Sequence, residues 1–363
     1  MSDGGTRRRT LFAALAAGVG LLLIELGAGA ALRARAPALV DGGGADARGR
    51  GILLHGDPSL LWRLAPGDRV EHGQPVHVNA AGFRDRERGP ATGPRLLALG
   101  DSSIYGFGVS DRAVFTARLE AQLGGVEVIN GGVPGYSTEQ ALNLLEAQGL
   151  ALAPDVLLVG ALWSDNNFDR FVDAERLGAH RAWRIDPVAQ VAAFISGTAT
   201  GRLIRRILGD EGPEAEAVGW MEAGEQGGGR RRVPLQDYAE NLARFCSVMS
   251  ERGGGVVFVL LANVEDLQPR PGTPPWAPYR DAMVRTAAAC DAPLVSIPDA
   301  FIESGLPPGQ LFLDEMHPSS RGHGLMAVAL AAVLAAEGWP ETPIGVVDPG
   351  GAVEVDDDPF EGR

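Results

Sequence analysis

From Arg95 onward, short unbroken apolar runs alternate with longer amphipathic ones. The apolar runs are Arg95–Leu99, Val126–Asn130, Asp155–Leu162, Gly255–Ala262 and Pro293–Ile297, and each reads as a strand buried on both faces. Between and after them, Ala113–Leu123, Thr138–Gln148, Leu235–Glu251, Pro278–Cys290 and Pro318–Ala336 carry helical spacing. Strands of this kind separated by helices pair in parallel, and right-handed crossovers place helices on both faces. The expected fold is α/β: a three-layer α/β/α sandwich around a doubly wound, mostly parallel five-stranded sheet. In such folds ligands bind beyond the carboxyl ends of the strands.

The rest of the chain departs from this rhythm. Arg7-Arg8-Arg9 close a short polar start (residues 1–10), and Leu11–Leu32 is apolar except for Glu25. About 20 apolar residues suit a membrane-spanning helix. The arginines favour an inside N-terminus and an extracytoplasmic (periplasmic) remainder, although Arg33 and Arg35 weaken the asymmetry. The same stretch also fits a signal segment cut near Ala28-Gly29-Ala30 or exported through a twin-arginine signal, which would leave a soluble exported protein. Residues 33–51 read as a linker. Residues 52–90 are mixed and are expected to be an extension packed on the core domain, 91–340. Arg84 in this extension is expected at the surface, with a place lining the site as the alternative. Residues 168–234 interrupt the alternation with two helix-like pieces, Val188–Ile195 and Arg202–Leu208, and a basic run ending Arg230-Arg231-Arg232. They read as a cap or as a surface insertion without a part in chemistry. Residues 341–363, Gly- and Asp-rich, read as a disordered acidic tail.

A net charge of −14 over 363 residues excludes a nucleic-acid surface as the main function. The six histidines form no metal-ligand motif, so no metal and no cofactor is expected. The two cysteines, Cys246 and Cys290, fall in helices flanking one strand. They form either a disulfide or two small buried hydrophobes.

The chemistry lies in two short segments. Leu99-Gly100-Asp101-Ser102-Ser103 puts a serine in a tight turn after the first strand, and Asp314-Glu315-Met316-His317-Pro318 follows the fifth. A serine hydroxyl needs a base, and the base needs a group to orient it. The pair of segments resembles the GDSL/SGNH hydrolase family, from about Asn79 to Leu334. The stretch Asn79-Ala80-Ala81-Gly82-Phe83-Arg84 also resembles one found in membrane-anchored members. The resemblance implies a triad of Ser102, Asp314 and His317. It implies oxyanion donors at the Ser102 N–H and at Gly135, within Asn130-Gly131-Gly132-Val133-Pro134-Gly135. The third donor is an asparagine in relatives. That position holds Ser164 here, and Asn166 lies two residues on. Asp101 and Asp165 are expected to support the site, and His323 to be structural or capping.

The implied activity is a serine esterase acting through an acyl-serine on an acylated carbohydrate, lipid or small ester of the cell envelope. A polysaccharide O-acyltransferase would use the same machinery. A catalytically silent carbohydrate-binding or scaffold protein is the reading from another class.

Overall fold

The computed structural model describes residues 54–57, 59–169, 171–178, 230–350, 353–356 and 358–359, together with Gly20, Ile24, Ile52 and Thr200. The apolar stretch Leu11–Leu32, apart from Gly20 and Ile24, lies outside the described residues. So do the linker and the pieces Val188–Ile195 and Arg202–Leu208. Among the described residues no helix is long and apolar enough to cross a membrane.

The chain first forms two antiparallel hairpins, β1 (Leu54–Asp57) with β2 (Leu61–Leu64) and β3 (Gly67–Glu71) with β4 (Gln74–Val78). The residues read only as mixed thus carry their own order. His72-Gly73 forms the second turn with both residues at positive φ, +48° and +79°, which is the requirement of a tight hairpin turn. Then follow β5 (Arg95–Gly100), α1 (Ser102–Tyr105), α2 (Phe115–Leu123), β6 (Glu127–Gly132), α3 (Thr138–Ala147) and β7 (Val156–Gly160). A two-residue pairing of β8 (Phe168–Asp169) with β9 (Arg230–Arg231) closes the base of the interrupting segment. The remainder is α4 (Leu235–Ser250), β10 (Gly255–Leu260), α5 (Val264–Leu267), α6 (Ala277–Ala289), β11 (Leu294–Ser296), α7 (Ile297–Glu303), α8 (Pro308–Leu311) and α9 (Ser320–Ala336).

The central sheet has the order β11-β10-β7-β5-β6, with all pairs parallel. Its strands are apolar throughout because both faces are covered: every residue of β5 and of β7 is buried. Helices α2 and α9 pack on one another on one face, and α3, α4 and α6 on the other. The chain steps from β5 outward to β6 and then back past β5 to β7. The order therefore reverses at β5, and the crevice belongs at its carboxyl end. Gly100 ends that strand at φ +155°, and a Cβ there would lie 1.9 Å from the Gly160 carbonyl oxygen. Only glycine lets β5 and β7 meet this closely before the turn.

Two expectations are corrected. Arg84 is not at the surface. Its side chain is 1% exposed and donates to the carbonyls of Tyr105, Gly106 and Val109 and to Asp111. The carbonyls left open where α1 ends need a donor, and a buried guanidinium supplies several. The tail after Glu341 is not wholly disordered. Ile344 and Val346 are buried in the core, and the Val347 N–H donates to the Cys290 carbonyl. Farther on, Asp358 pairs with buried Arg231. Two apolar residues and the need of a buried cation for a counter-ion override the disorder that the composition suggests.

Cys246 of α4 and Cys290, just after α6, form a disulfide, with 6.2 Å between their Cα atoms. It closes a loop of 44 residues around β10. The chain-entropy account assigns such a loop about 4 kcal/mol. Replacing both cysteines with serine is expected to lower Tm by on the order of 5–10 °C in a thermal melt, with the fold retained.

Candidate active site

Ser102 is the first residue of α1, directly beyond β5. Asp101 caps this helix: its carboxylate accepts from the Ser103 N–H at 2.9 Å. The other carboxylate oxygen accepts from the N–H groups of Trp163 at 3.1 Å and Leu162 at 3.3 Å. One fully buried side chain therefore ties the turn after β5 to the loop after β7. Burial pushes the Asp101 carboxyl up, against the pull of those three N–H groups. From β6, the Asn130 amide donates to the carbonyls of Ile104 and Tyr105, so that α1 is held at its far end as well.

The second segment arrives after β11, α7 and α8. Asp314 Oδ1 accepts from the N–H groups of Met316 and His317 at 2.9 and 2.8 Å, which folds the segment into a tight turn. Oδ2 is left to face His317 Nδ1 at 2.6 Å. The three-residue spacing is thus what lets one carboxylate both shape the turn and orient the ring. Burial would raise Asp314. The hydrogen bonds and charge of His317 and the two N–H groups outweigh it and bring the carboxyl down to about 2. His317 Nε2 lies 2.8 Å from Ser102 Oγ. Since a carboxylate can only accept, Nδ1 carries the proton and Nε2 accepts from the serine. Phe107 stacks on the His317 ring with centroids 4.3 Å apart, and the ring of His72, from the β3–β4 turn, lies tilted against Phe107, also with centroids 4.3 Å apart. Ser103 Oγ links the two segments, donating to the Met316 carbonyl at 3.4 Å and accepting from Trp163 Nε1 at 3.2 Å.

The structure brings Ser102, Asp314 and His317 together. Gly135 lies in the loop after β6 at φ +79°, a conformation that favours glycine. Ser164 is buried in the loop after β7. The Asn166 amide donates to the carbonyls of Leu162 and Trp163 at 2.7 and 3.2 Å, so it is turned into its own loop. Asp165 is fully buried and accepts from the Thr138 N–H and hydroxyl at 2.8 and 2.6 Å, joining the loop after β7 to α3. Burial, with the Asp173 charge adding to it, pushes its carboxyl up to about 7. Among the described residues no group of three or more His, Cys, Asp or Glu is placed to hold a metal ion.

Residues 98–325 match the model of the GDSL-like lipase/acylhydrolase family, and the chain belongs to that family. It is a hydrolase acting on ester bonds. No match was found among curated proteins. Similar solved structures include LAE5, an alpha/beta hydrolase from the metagenome of Lake Arreo, Spain. It shows 18% identity and a TM-score of 0.44, with 68% of this chain and 96% of that one covered. A lipase/acylhydrolase from Enterococcus faecalis shows 17%, 0.43, 67% and 96% in the same measures. The acetylxylan esterase Axe2 from Geobacillus stearothermophilus shows 17%, 0.43, 69% and 98%.

Sequence reasoning left Asn130, Ser103 and Trp163 without a role. Asn130 was visible at the head of the glycine run, but its target, the end of α1, was not. His323 is fully buried against Phe115, and burial lowers its ring to about 3. The unfolded chain therefore takes up this proton first. The stability held through neutral His323 is complete above pH 6.5 and is lost as pH falls toward 3. Urea unfolding at pH 5 is expected to be easier than at pH 7.5, with this ring contributing on the order of 2 kcal/mol. His323→Phe should flatten that part of the pH dependence.

Proposed function

We propose that the protein is a serine esterase that removes acyl groups through an acyl-serine intermediate. The observation that carries this reading is the line from Asp314 Oδ2 through His317 to Ser102 Oγ, with steps of 2.6 and 2.8 Å. As Ser102 Oγ attacks the ester carbonyl, its proton passes to His317 Nε2. Asp314, with its carboxyl held low, remains ionised and stabilises the imidazolium. The Phe107 face adds to this, since a ring face attracts a cation. The carbonyl oxygen becomes an oxyanion and takes hydrogen bonds from the N–H groups of Ser102 and Gly135. Ser164 is the third donor in this reading, because the Asn166 amide is committed to carbonyls of its own loop. His317 returns the proton to the leaving alkoxide. Water, deprotonated by the same ring, then releases the acid and restores the serine.

The substrate we favour is an acylated carbohydrate or lipid of the cell envelope. The apolar Leu11–Leu32 segment behind Arg7-Arg8-Arg9 supports a membrane anchor with the catalytic domain outside. The disulfide is in keeping with an oxidising compartment.

Nitrophenyl esters from acetyl to long-chain test this reading on the segment Ala36–Arg363. Hydrolysis should be measurable, and Ser102→Ala should lower kcat by at least about 10³-fold with the melting curve unchanged. The chain-length optimum separates deacetylation from lipase-like action. Activity equal in both proteins would sink the esterase, and transfer to an added sugar hydroxyl in place of hydrolysis would favour the acyltransferase. Ser164→Ala should cost about 10-fold or more in kcat, and Asn166→Ala should act chiefly on stability.

A further inference from the structure

Gly135 lies between two peptide groups, and both are gripped by side chains from outside the loop that carries it. Trp62, on β2, donates its indole N–H to the Pro134 carbonyl at 3.1 Å. That carbonyl and the Gly135 N–H belong to one planar trans peptide and point in opposite directions. Holding the carbonyl therefore aims the N–H. On the other side, Arg232 donates to the Gly135 carbonyl at 2.8 Å. The Arg232 guanidinium is itself fixed. It donates to both oxygens of Asp173, at 3.1 and 2.8 Å, and to Gln140 at 2.9 Å. Its side chain is 2% exposed and that of Asp173 is fully buried. Asp173 also accepts from the Ser137 hydroxyl at 2.6 Å, in the same loop as Gly135. The guanidinium carbon lies over the Trp62 ring, 5.6 Å from its centroid, so the two grips are neighbours.

Glycine is the residue least able to hold its own conformation. A donor peptide at glycine must be aimed by its surroundings, and here the hairpin β1–β2 and the return of the 168–234 segment do so. We propose that Trp62 and Arg232 are positioning residues for ester hydrolysis, fixing the two peptides of Gly135 so that its N–H faces the oxyanion. The proposal rests on the serine-esterase reading above. It assigns the end of the interrupting segment a part in the chemistry, whatever the rest of that segment does.

The test uses Trp62→Phe, which keeps a ring and deletes the N–H donor, and Arg232→Lys, which keeps the charge beside Asp173 but loses the fork. Active sites are titrated to completion with a fluorophosphonate, so that rates are per reactive Ser102 and any unfolded fraction is removed. The expected result is a fall in kcat of about 10-fold or more in each variant. KM should stay within about twofold. An alkyl boronic acid, which becomes tetrahedral on the serine, should lose affinity in step with kcat. A lowered Tm with kcat per titrated site and boronate affinity unchanged would show a purely structural role and overturn the proposal. Wild-type protein that is neither labelled nor hydrolytic would overturn the esterase reading itself, and this inference with it. The two failures are thus told apart by the wild-type arm.

Discussion

A buried carboxylate, Asp101, holds this active site to its sheet. It caps α1 and receives the N–H groups of Leu162 and Trp163, so the ends of β5 and β7 share one anion. Removing such a charge from water is costly unless hydrogen bonds replace the lost solvation, and here three backbone donors do so. The glycines of the neighbouring strands make the arrangement sterically possible. A Cβ at Gly132 would lie 2.3 Å from the Tyr105 nitrogen, so α1 sits directly on the end of β6. The place of Ser102 is therefore a property of the sheet ends and not of a free loop.

Around this framework, the buried polar residues act on backbone carbonyls more than on one another. Arg84 and Asn130 both serve the end of α1, and the part-buried Arg280 serves the carbonyl of Leu261 after β10. A parallel sheet ends in open carbonyls at the very edge where the site must be, and short helices add more of them. Buried cations and amides are the groups able to satisfy several at once. The acidic net charge coexists with a site edge held together by arginine, because those arginines are internal and paired.

The core of the fold was legible in the sequence because strands covered on both faces leave unbroken apolar runs. The observed β5, β6, β7, β10 and β11 lie within two residues of the runs at both ends, with the later strands ending earlier than the apolar residues do. The triad segments were legible because an Asp-x-x-His turn is local. One carboxylate shapes it, and no distant partner is needed. Arg84, Trp62 and Arg232 were not legible in this way. An arginine reads as a surface residue until its carbonyl partners are in place, and those partners lie 21 and 97 residues away for Arg84 and Arg232. The choice between Ser164 and Asn166 also depended on a turn that composition does not encode. The acidic tail misled for the converse reason. Its few apolar residues and one aspartate matter through what they cover, the disulfide end of α6 and the cation of Arg231.

The serine and the imidazole that faces it are 215 residues apart in the chain. In the proposed mechanism neither half of the pair acts without the other, and nothing local brings them together. All five strands must be laid down in order before the turn at Asp314 can reach α1. Folding is in this sense the step that switches the chemistry on.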